Sequence, residues 1–161
     1  MTDSCTELWR AFLASGSPEA VSAARASFTS WQFGCGREQG DRLLDYVVGG
    51  TKRATAGALW TYEHEGDPLP REGEYSVVTD GSGIARVVIV TTRVDVVAFD
   101  AVDEEFAYRE GEGDRTLEYW RRVHWDYFTR ELAAFGLEPS PNMPVVCERF
   151  DVVYPVSGRA T

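Results

Sequence analysis

The glycine-bounded segment at residues 49–57 (GGTKRATAG) constrains this chain most, because it ends one helix and begins the next element. The apolar residues before it recur at helical spacing and stop at the pair Gly49 and Gly50, and glycine readily takes the left-handed conformation that terminates helices. The turn then carries Lys52 and Thr55, three residues apart. Two interpretations stay open: Lys52 caps the helix end and Thr55 is an ordinary strand residue, or both side chains serve a site.

The length and composition predict one globular domain. The chain has 161 residues, of which 43% are hydrophobic and 12% aromatic, enough to form a core and to exclude a disordered chain. No apolar run has the length of a membrane span, and the first five residues are acidic where a signal peptide would be basic. We therefore expect a cytoplasmic protein that does not associate with membranes.

Charge and cysteine usage narrow the function further. The net charge of −10 disfavours a surface that attracts nucleic acid as a whole, although a local basic cleft stays possible. The three cysteines lie far apart and predict reduced thiols. The two histidines lack the helical i, i+4 spacing of a zinc site, so the sequence predicts neither a metal nor another cofactor.

Hydrophobic periodicity predicts helices followed by a sheet. Residues 1–29 predict two short helices ending near Leu13 and Ala26, and residues 31–40 predict a loop. Asp41 is the expected N-cap of the helix that ends at Gly49, and residues 56–62 fit a strand or a short helix. Residues 74–79 and 84–92 predict a hairpin, which 94–99 extends, and residues 144–154 predict one or two late strands at the sheet edge.

A second informative stretch lies between these strands. Residues 103–109 predict a short helix stopped by Gly111, which places the Glu110 carboxylate at the unfavourable negative end of the helix dipole. Local rules are most often broken at functional sites, so Glu110 is a candidate. Asp114 is the expected N-cap of a long helix over residues 115–135. Its apolar face also contains His124 and Glu131, which predicts either a buried hydrogen-bonded contact or a cleft wall.

Together, the motifs GTKRAT at residues 50–55 and EGEGD at residues 110–114 resemble the ASCH family of the PUA-like superfold. The resemblance covers about residues 31–154, and the motifs are specific only in combination. It implies an α+β fold, a PUA-like β-barrel or twisted mixed sheet with flanking helices. We therefore expect residues 1–30 to be a helical extension on the same core, residues 31–156 to be the domain, and residues 157–161 to be a flexible tail.

The resemblance also implies a function. ASCH proteins are regarded as RNA- or nucleotide-associated domains, and their smallest enzymes look like amidohydrolases of N4-acetylcytidine, whose catalytic set falls here on Lys52, Thr55 and Glu110. Other members look like single-strand ribonucleases, which would pair Lys52 with Tyr46, and a nucleotide sensor without activity is a third possibility. The expected partners are a nucleoside or nucleotide and possibly single-stranded RNA. The expected substrate-binding residues are Tyr46, Arg53, Tyr108, Glu112, Asp114 and His124.

The proposed chemistry needs a base for a weak nucleophile. A threonine hydroxyl attacks an amide only if a base removes its proton. Lys52 could do so if burial and nearby cations kept it neutral, or a charged Lys52 could stabilise the oxyanion while Glu110 carries the proton. We favour Glu110, with a pKa raised by its acidic neighbours. The residues after Glu110 add two acids to the small-enzyme pattern, and Arg53 stands where those enzymes often have a small or hydroxyl residue, so the substrate stays open.

Overall fold

The computed structural model describes residues 3–155 and has mixed α+β architecture, as the sequence predicts. The helices are α1 (Ser4–Ala14), α2 (Pro18–Ser22), α3 (Arg37–Val48), α4 (Leu59–Glu65), α5 (Glu104–Glu110) and α6 (Leu117–Ala133). The strands are β1 (Phe28–Gln32), β2 (Ala54–Ala58), β3 (Tyr75–Thr79), β4 (Ala85–Ala98) and β5 (Pro144–Tyr154). The predicted tail at 157–161 lies outside the described residues. Within residues 3–155, no helix has both the length and the apolar character needed to span a bilayer.

The five strands form one mixed sheet in the order β1-β3-β4-β5-β2. Strand β1 pairs with β3 in parallel, whereas the β3–β4 and β2–β5 pairs are antiparallel. The predicted hairpin of β3 and β4 is confirmed, but the prediction that the last strand forms an edge is wrong. Strand β5 lies between β4 and β2, since a run of apolar residues predicts a strand without saying which strands flank it.

The chain divides into two compact units, of which the first comprises Met1–Gly50, Glu72–Thr92 and Phe150–Thr161. Its helix α1 begins at an Asp3 cap and α2 at a Ser17 cap with proline in its first turn, which are ordinary N-terminal signals. The core of this unit has two apolar clusters. One contains Trp9, Phe12, Ala20, Ala23, Val77, Val88 and Val153, and the other contains Phe33, Leu43, Leu44, Val47, Val78, Val87, Ile89 and Phe150.

Two sequence predictions in the first unit are corrected. Residues 31–40 are not all loop, because β1 takes residues 31 and 32 and α3 begins at Arg37. Asp41 is not a helix cap; Gly36, with φ +79°, occupies that position. The Asp41 carboxylate instead accepts a hydrogen bond from the Gly81 backbone N–H at 2.8 Å, across the β3–β4 turn. The sequence contains no signal for that long-range contact, whereas a cap is the usual local role of aspartate.

The second unit comprises Thr51–Arg71 and Arg93–Arg149 and carries both motifs. The ambiguous residues 56–62 contain the end of β2 and the start of α4, so both interpretations were correct for part of the segment. Thr116, not Asp114, caps α6; the Asp114 carboxylate accepts from the Thr116 N–H at 2.9 Å and hydroxyl at 2.6 Å. The buried core of this unit consists of Ala54, Ala58, Phe99, Val102, Phe106, Ala107, Trp120, Phe128, Leu132, Met143, Val145 and Cys147.

Candidate functional site

Lys52 is buried where the chain enters β2, with only 1% of its surface exposed. Its Nζ donates to the backbone carbonyl of Glu110 at 3.3 Å and to Glu112 Oε2 at 3.4 Å. The two motif segments are joined through their backbones as well, because the Arg53 N–H donates to the Arg109 carbonyl at 2.7 Å. Lys52 therefore lies against the second motif, which supports the interpretation that the lysine serves a site.

The close approach of the two segments requires glycine at position 111. Gly111 has φ +71°, and a Cβ atom added there would lie 2.3 Å from the carbonyl oxygen of Thr51. A side chain at this position would add both backbone strain and a backbone clash, and no rotamer could relieve the clash. The glycine that ends α5 thus sets the distance between the two motifs.

Glu110, the last residue of α5, is 1% exposed and forms two strong side-chain contacts. Its Oε2 accepts from the indole N–H of Trp120 at 2.8 Å and lies 2.8 Å from His124 Nε2. These contacts, together with Lys52, compensate for the unfavourable position at the negative end of the helix dipole. We call Lys52, Glu110, Glu112, Trp120 and His124 the lysine cluster.

His124 forms the buried hydrogen-bonded contact that was one of its two predicted roles. Its Nδ1 lies 2.9 Å from the Trp120 carbonyl, and its ring stacks on the Trp120 ring at 4.2 Å between centroids. Both ring nitrogens thus face oxygen acceptors, which favours the doubly protonated, charged imidazole. The other predicted face residue, Glu131, accepts a hydrogen bond from the Thr61 hydroxyl at 2.6 Å.

The two glutamates of the lysine cluster have pKa values that are shifted in opposite directions. Burial acts to raise the pKa of Glu110, but His124 and Lys52 outweigh it and lower that pKa to about 2. Burial and the negative charge of Glu110 raise the pKa of Glu112, in spite of Lys52. Burial opposes protonation of His124, yet Glu110 raises the His124 pKa. Our prediction of a raised Glu110 pKa is therefore wrong, because the neighbours that decide it are cations, and Glu112 has the raised pKa instead.

Three of these side chains could also hold a cation. One ligand atom each from Glu110, Glu112 and His124 lies within 4.8 Å of the other two. Carboxylate oxygen and imidazole nitrogen are common ligands of divalent metals. The Lys52 ammonium lies 3.4 Å from the Glu112 carboxylate, so it already supplies positive charge at this position and would compete with a bound ion.

Thr55 lies on the face of β2 that points away from the apolar core of the second unit. Ala54, Ala56 and Ala58 pack on the apolar core of the second unit, and side chains alternate along a strand, so Thr55 lies on the opposite face. There it is paired across the ladder with Glu148, which is 6% exposed. The half-buried Thr55 hydroxyl makes no side-chain hydrogen bond within residues 3–155.

The remaining predicted residues surround the motif segments or lie elsewhere. Tyr108 is 57% exposed, with the Arg115 guanidinium 3.5 Å above its ring. Arg53 donates from Nη1 to the Lys52 carbonyl at 2.8 Å, and Asp114 is exposed beside the α6 cap. Tyr46 is half-buried against an apolar cluster of the first unit. The structure thus brings together Lys52, Glu110, Glu112 and His124 from the predicted set.

Sequence reasoning missed three residues that shape this region. Arg115 has φ +64°, unusual for a residue with a side chain, and donates to the carbonyls of Tyr108 at 3.0 Å and Thr51 at 3.4 Å. Glu148 interrupts an apolar strand run, a signal that could have identified it. Tyr62 lies so close to Gly57 that a Cβ there would be 2.9 Å from its ring, which the sequence does not indicate.

Comparison with known proteins agrees with this architecture. The ASCH domain family model matches residues 29–154. The chain is similar to an ASCH domain from Lactobacillus crispatus JV V101, with TM-score 0.87 and 32% identity over 96% of this chain and 97% of that one. It is also similar to protein EF3133 from Enterococcus faecalis V583, with TM-score 0.80 and 34% identity over 92% of this chain and 87% of that one. Among curated proteins, none matches.

The expected fold class, a PUA-like arrangement of a mixed sheet and flanking helices, is confirmed by these structural neighbours. The family match covers most of the chain and contains both the segment that leads into β2 and the α5–α6 loop. The chain therefore belongs to the ASCH domain family.

Proposed function

We propose that this protein is a hydrolase of an acylated nucleoside, and that it cleaves an amide like that of N4-acetylcytidine. The observation that carries the proposal is the burial of Lys52 against Glu112 and the Glu110 carbonyl, in a cluster that also contains His124 and three residues before a half-buried threonine hydroxyl. Buried charges are an inefficient way to stabilise a fold, because their desolvation offsets most of their attraction. Clusters of this kind with shifted pKa values are typical of catalytic sites.

Each group in the proposed mechanism has one role. The Thr55 hydroxyl attacks the amide carbonyl, and the charged Lys52 ammonium stabilises the oxyanion that develops. Glu112, with its raised pKa and its partial exposure, takes the proton from Thr55 and returns it to the leaving amine. The C–N bond breaks, an acyl ester forms on Thr55, and water then hydrolyses that ester. Glu110 stays ionised and holds Lys52 and His124 in place.

The spacing of the motif is compatible with these roles. Three extended residues span at most about 11 Å, so the backbone at Thr55 remains close to that at Lys52. In the proposed mechanism, the long lysine side chain brings its ammonium to a group bound beside Thr55. The proposed mechanism requires the Lys52 ammonium to move away from Glu112 and towards the developing oxyanion.

The test is hydrolysis of a panel of N4-acylated cytidines by the purified full chain, followed by chromatography. We expect Lys52→Ala and Thr55→Ala to lower kcat/KM at least about 100-fold while the circular dichroism spectrum stays unchanged. Thr129→Ala is the matched control, because Thr129 is exposed on α6. No turnover of any panel member by the wild type, or full activity of Thr55→Ala, would refute the proposal.

A second candidate is binding or cleavage of single-stranded RNA, favoured by the exposed Tyr108 ring with Arg115 stacked on it. Aromatic rings and arginine planes bind unpaired bases, at about 1–3 kcal/mol per base. Such binding should weaken steeply with salt. A fluorescence titration with labelled single-stranded RNA tests it, and absence of binding at low salt would exclude this candidate.

A further inference from the structure

Strand β1 lies at an edge of the sheet, and within residues 3–155 it pairs with β3 alone. Both faces of the strand are covered, because Phe28 packs on one apolar cluster of the first unit and Trp31 packs on the other. Thr29 and Ser30, between them, are exposed. An edge strand presents a row of backbone N–H and C=O groups that can pair with another strand. The open part of β1 is therefore its backbone edge.

Strand β1 lacks the features by which proteins protect an exposed edge, which are charged side chains, proline and bulges. Its sequence is FTSWQ, without a charge or a proline, and its register with β3 runs without interruption from Phe28 to Gln32. The uncharged segment extends beyond the strand, since residues 26–36 are the longest stretch of the chain without Asp, Glu, Lys or Arg. The edge is therefore suited to accept a further strand.

The charge of the chain indicates which partner this edge suits. Two copies carry a net charge of −10 each and repel one another wherever their acidic surfaces meet. A contact centred on the uncharged residues 26–36 keeps like charges from facing each other. A partner selected by its charge, such as a basic protein, would gain nothing at this edge, because complementary charge acts only where charges meet. A second copy of the chain is therefore the partner that the edge fits.

Two copies of β1 can pair in one symmetric register. A two-fold axis perpendicular to the sheet makes the two strands antiparallel. With the axis at Ser30, the middle residue of β1, Ser30 faces itself and Thr29 lies opposite Trp31 of the second copy. Directly opposed residues point to the same face of a sheet, so the apolar layers continue from one copy to the next. A β-branched residue opposite an aromatic residue is also a stabilising cross-strand pair.

We propose that β1 is a dimerisation edge: two copies of this chain pair β1 with β1, antiparallel, about a two-fold axis at Ser30. A strand of five residues buries less area than a standard interface, so the dimer is weak and forms with rising concentration. The pairing involves the first unit alone, whereas the lysine cluster belongs to the second. It is therefore measured without any hydrolysis.

Sedimentation velocity of the full chain between about 1 μM and about 1 mM measures the association. We expect a monomer–dimer equilibrium within this range. The dimer should become stronger as salt is added, because salt screens the repulsion between two acidic copies. A monomer at every concentration would leave the edge to a strand of a different protein and overturn the proposal. A dimer that salt dissociates would also overturn it, since such a dimer depends on charged contacts.

Charges introduced at Ser30 test the position of the axis. Ser30→Asp and Ser30→Lys each place two like charges opposite one another, so each variant alone should dimerise at least about tenfold more weakly. A mixture of the two variants places opposite charges together and should restore the association. Thr129→Asp adds the same charge as Ser30→Asp at an exposed position of the second unit and should leave the dimer intact. Unchanged association of the Ser30 variants, or a mixture that stays monomeric, would overturn the proposal.

A thiol cross-link gives a second measure that depends on the register. Ser30→Cys, in a Cys35→Ser background, should form a covalent dimer with a short bifunctional maleimide, because the two thiols meet at the axis. In the wild type, the exposed Cys35 residues of two copies lie on opposite sides of the axis, so the same reagent should give no covalent dimer. Cross-linking through Cys35 and none through position 30 would show a different interface and overturn this one.

Discussion

The two compact units bury different kinds of polar group. Among the buried residues of the described chain, the first unit contributes only the hydroxyls of Ser76 and Thr91. The second unit contributes Lys52, Glu110, His124 and Glu148, all of which are ionisable. Hydroxyls are satisfied by one or two hydrogen bonds, whereas each buried ion needs an opposite charge in a fixed position.

This difference indicates which part of the molecule is better suited to a functional site. The first unit consists of aromatic and aliphatic clusters that stabilise by burial of apolar area, as any small domain does. The second unit adds a charged interior, and buried charges contribute little to stability, or destabilise the fold, unless every charge is paired. We infer that the second unit has kept this interior for function, and the following experiments test the contrast.

The largest effect should come from removing one charge of the lysine cluster. Glu110→Gln removes the carboxylate charge that lies 2.8 Å from His124 Nε2 and that also attracts Lys52, and we expect a loss of about 3–5 kcal/mol of unfolding free energy in urea titrations. In the first unit, Ser76→Ala removes one hydroxyl, which lies 3.3 Å from that of Thr29, and should cost about 1 kcal/mol. Similar losses for the two variants would contradict the contrast between the units.

The stability of the wild type should fall in acid because of Glu110. Its pKa in the folded protein is about 2, below the ordinary value of 4.5, so its stabilising contribution is present above pH 4.5. That contribution, about 3 kcal/mol, is lost as the pH falls from about 4.5 towards 2. Urea titrations between pH 2 and 6 should show this decline in the wild type and a flatter profile in Glu110→Gln. Parallel profiles would show that Glu110 is not held ionised.

Two glycine-to-alanine variants should show a smaller effect on stability, and they distinguish the cost of backbone strain from the cost of a clash with neighbouring backbone. Gly111 and Gly16 have nearly the same conformation, with φ +71° and +69°, but a Cβ on Gly16 would meet no atom within 4 Å. Gly16→Ala should cost about 1 kcal/mol, whereas Gly111→Ala should cost roughly 1–3 kcal/mol more because its Cβ meets the Thr51 carbonyl. Thermal unfolding of both variants measures the difference. Equal costs would mean that the two motif segments separate easily.

Much of the fold could be predicted from the sequence because its signals are local. The hairpin follows from alternation on both sides of a glycine-rich turn, and the short helix before Gly111 follows from its spacing. The position of β5 within the sheet and the role of Asp41 depend on contacts between distant segments. Such contacts leave no periodic trace in a single sequence.

The candidate site shows the same division between local features, which could be predicted, and long-range contacts, which could not. Lys52 and Glu110 could be found from motif and helix-end arguments, and the structure joins them. The predicted direction of the Glu110 pKa shift was wrong because it followed from the nearby acids Glu112 and Asp114, whereas the fold brings the cations Lys52 and His124 to Glu110. His124 reaches Glu110 only because α6 packs beside α5, and Glu148 lies opposite Thr55 only through the strand register.

The contact between Gly111 and Thr51 has a consequence for which residues of this region can be substituted. The distance between the two motif segments is set by main-chain atoms, so it does not depend on the identity of the exposed residues around them. The exposed residues Tyr108 and Asp114 can therefore be substituted while Lys52 keeps its place beside Glu110. A residue without a side chain thereby makes the geometry of the lysine cluster independent of the side chains exposed around it.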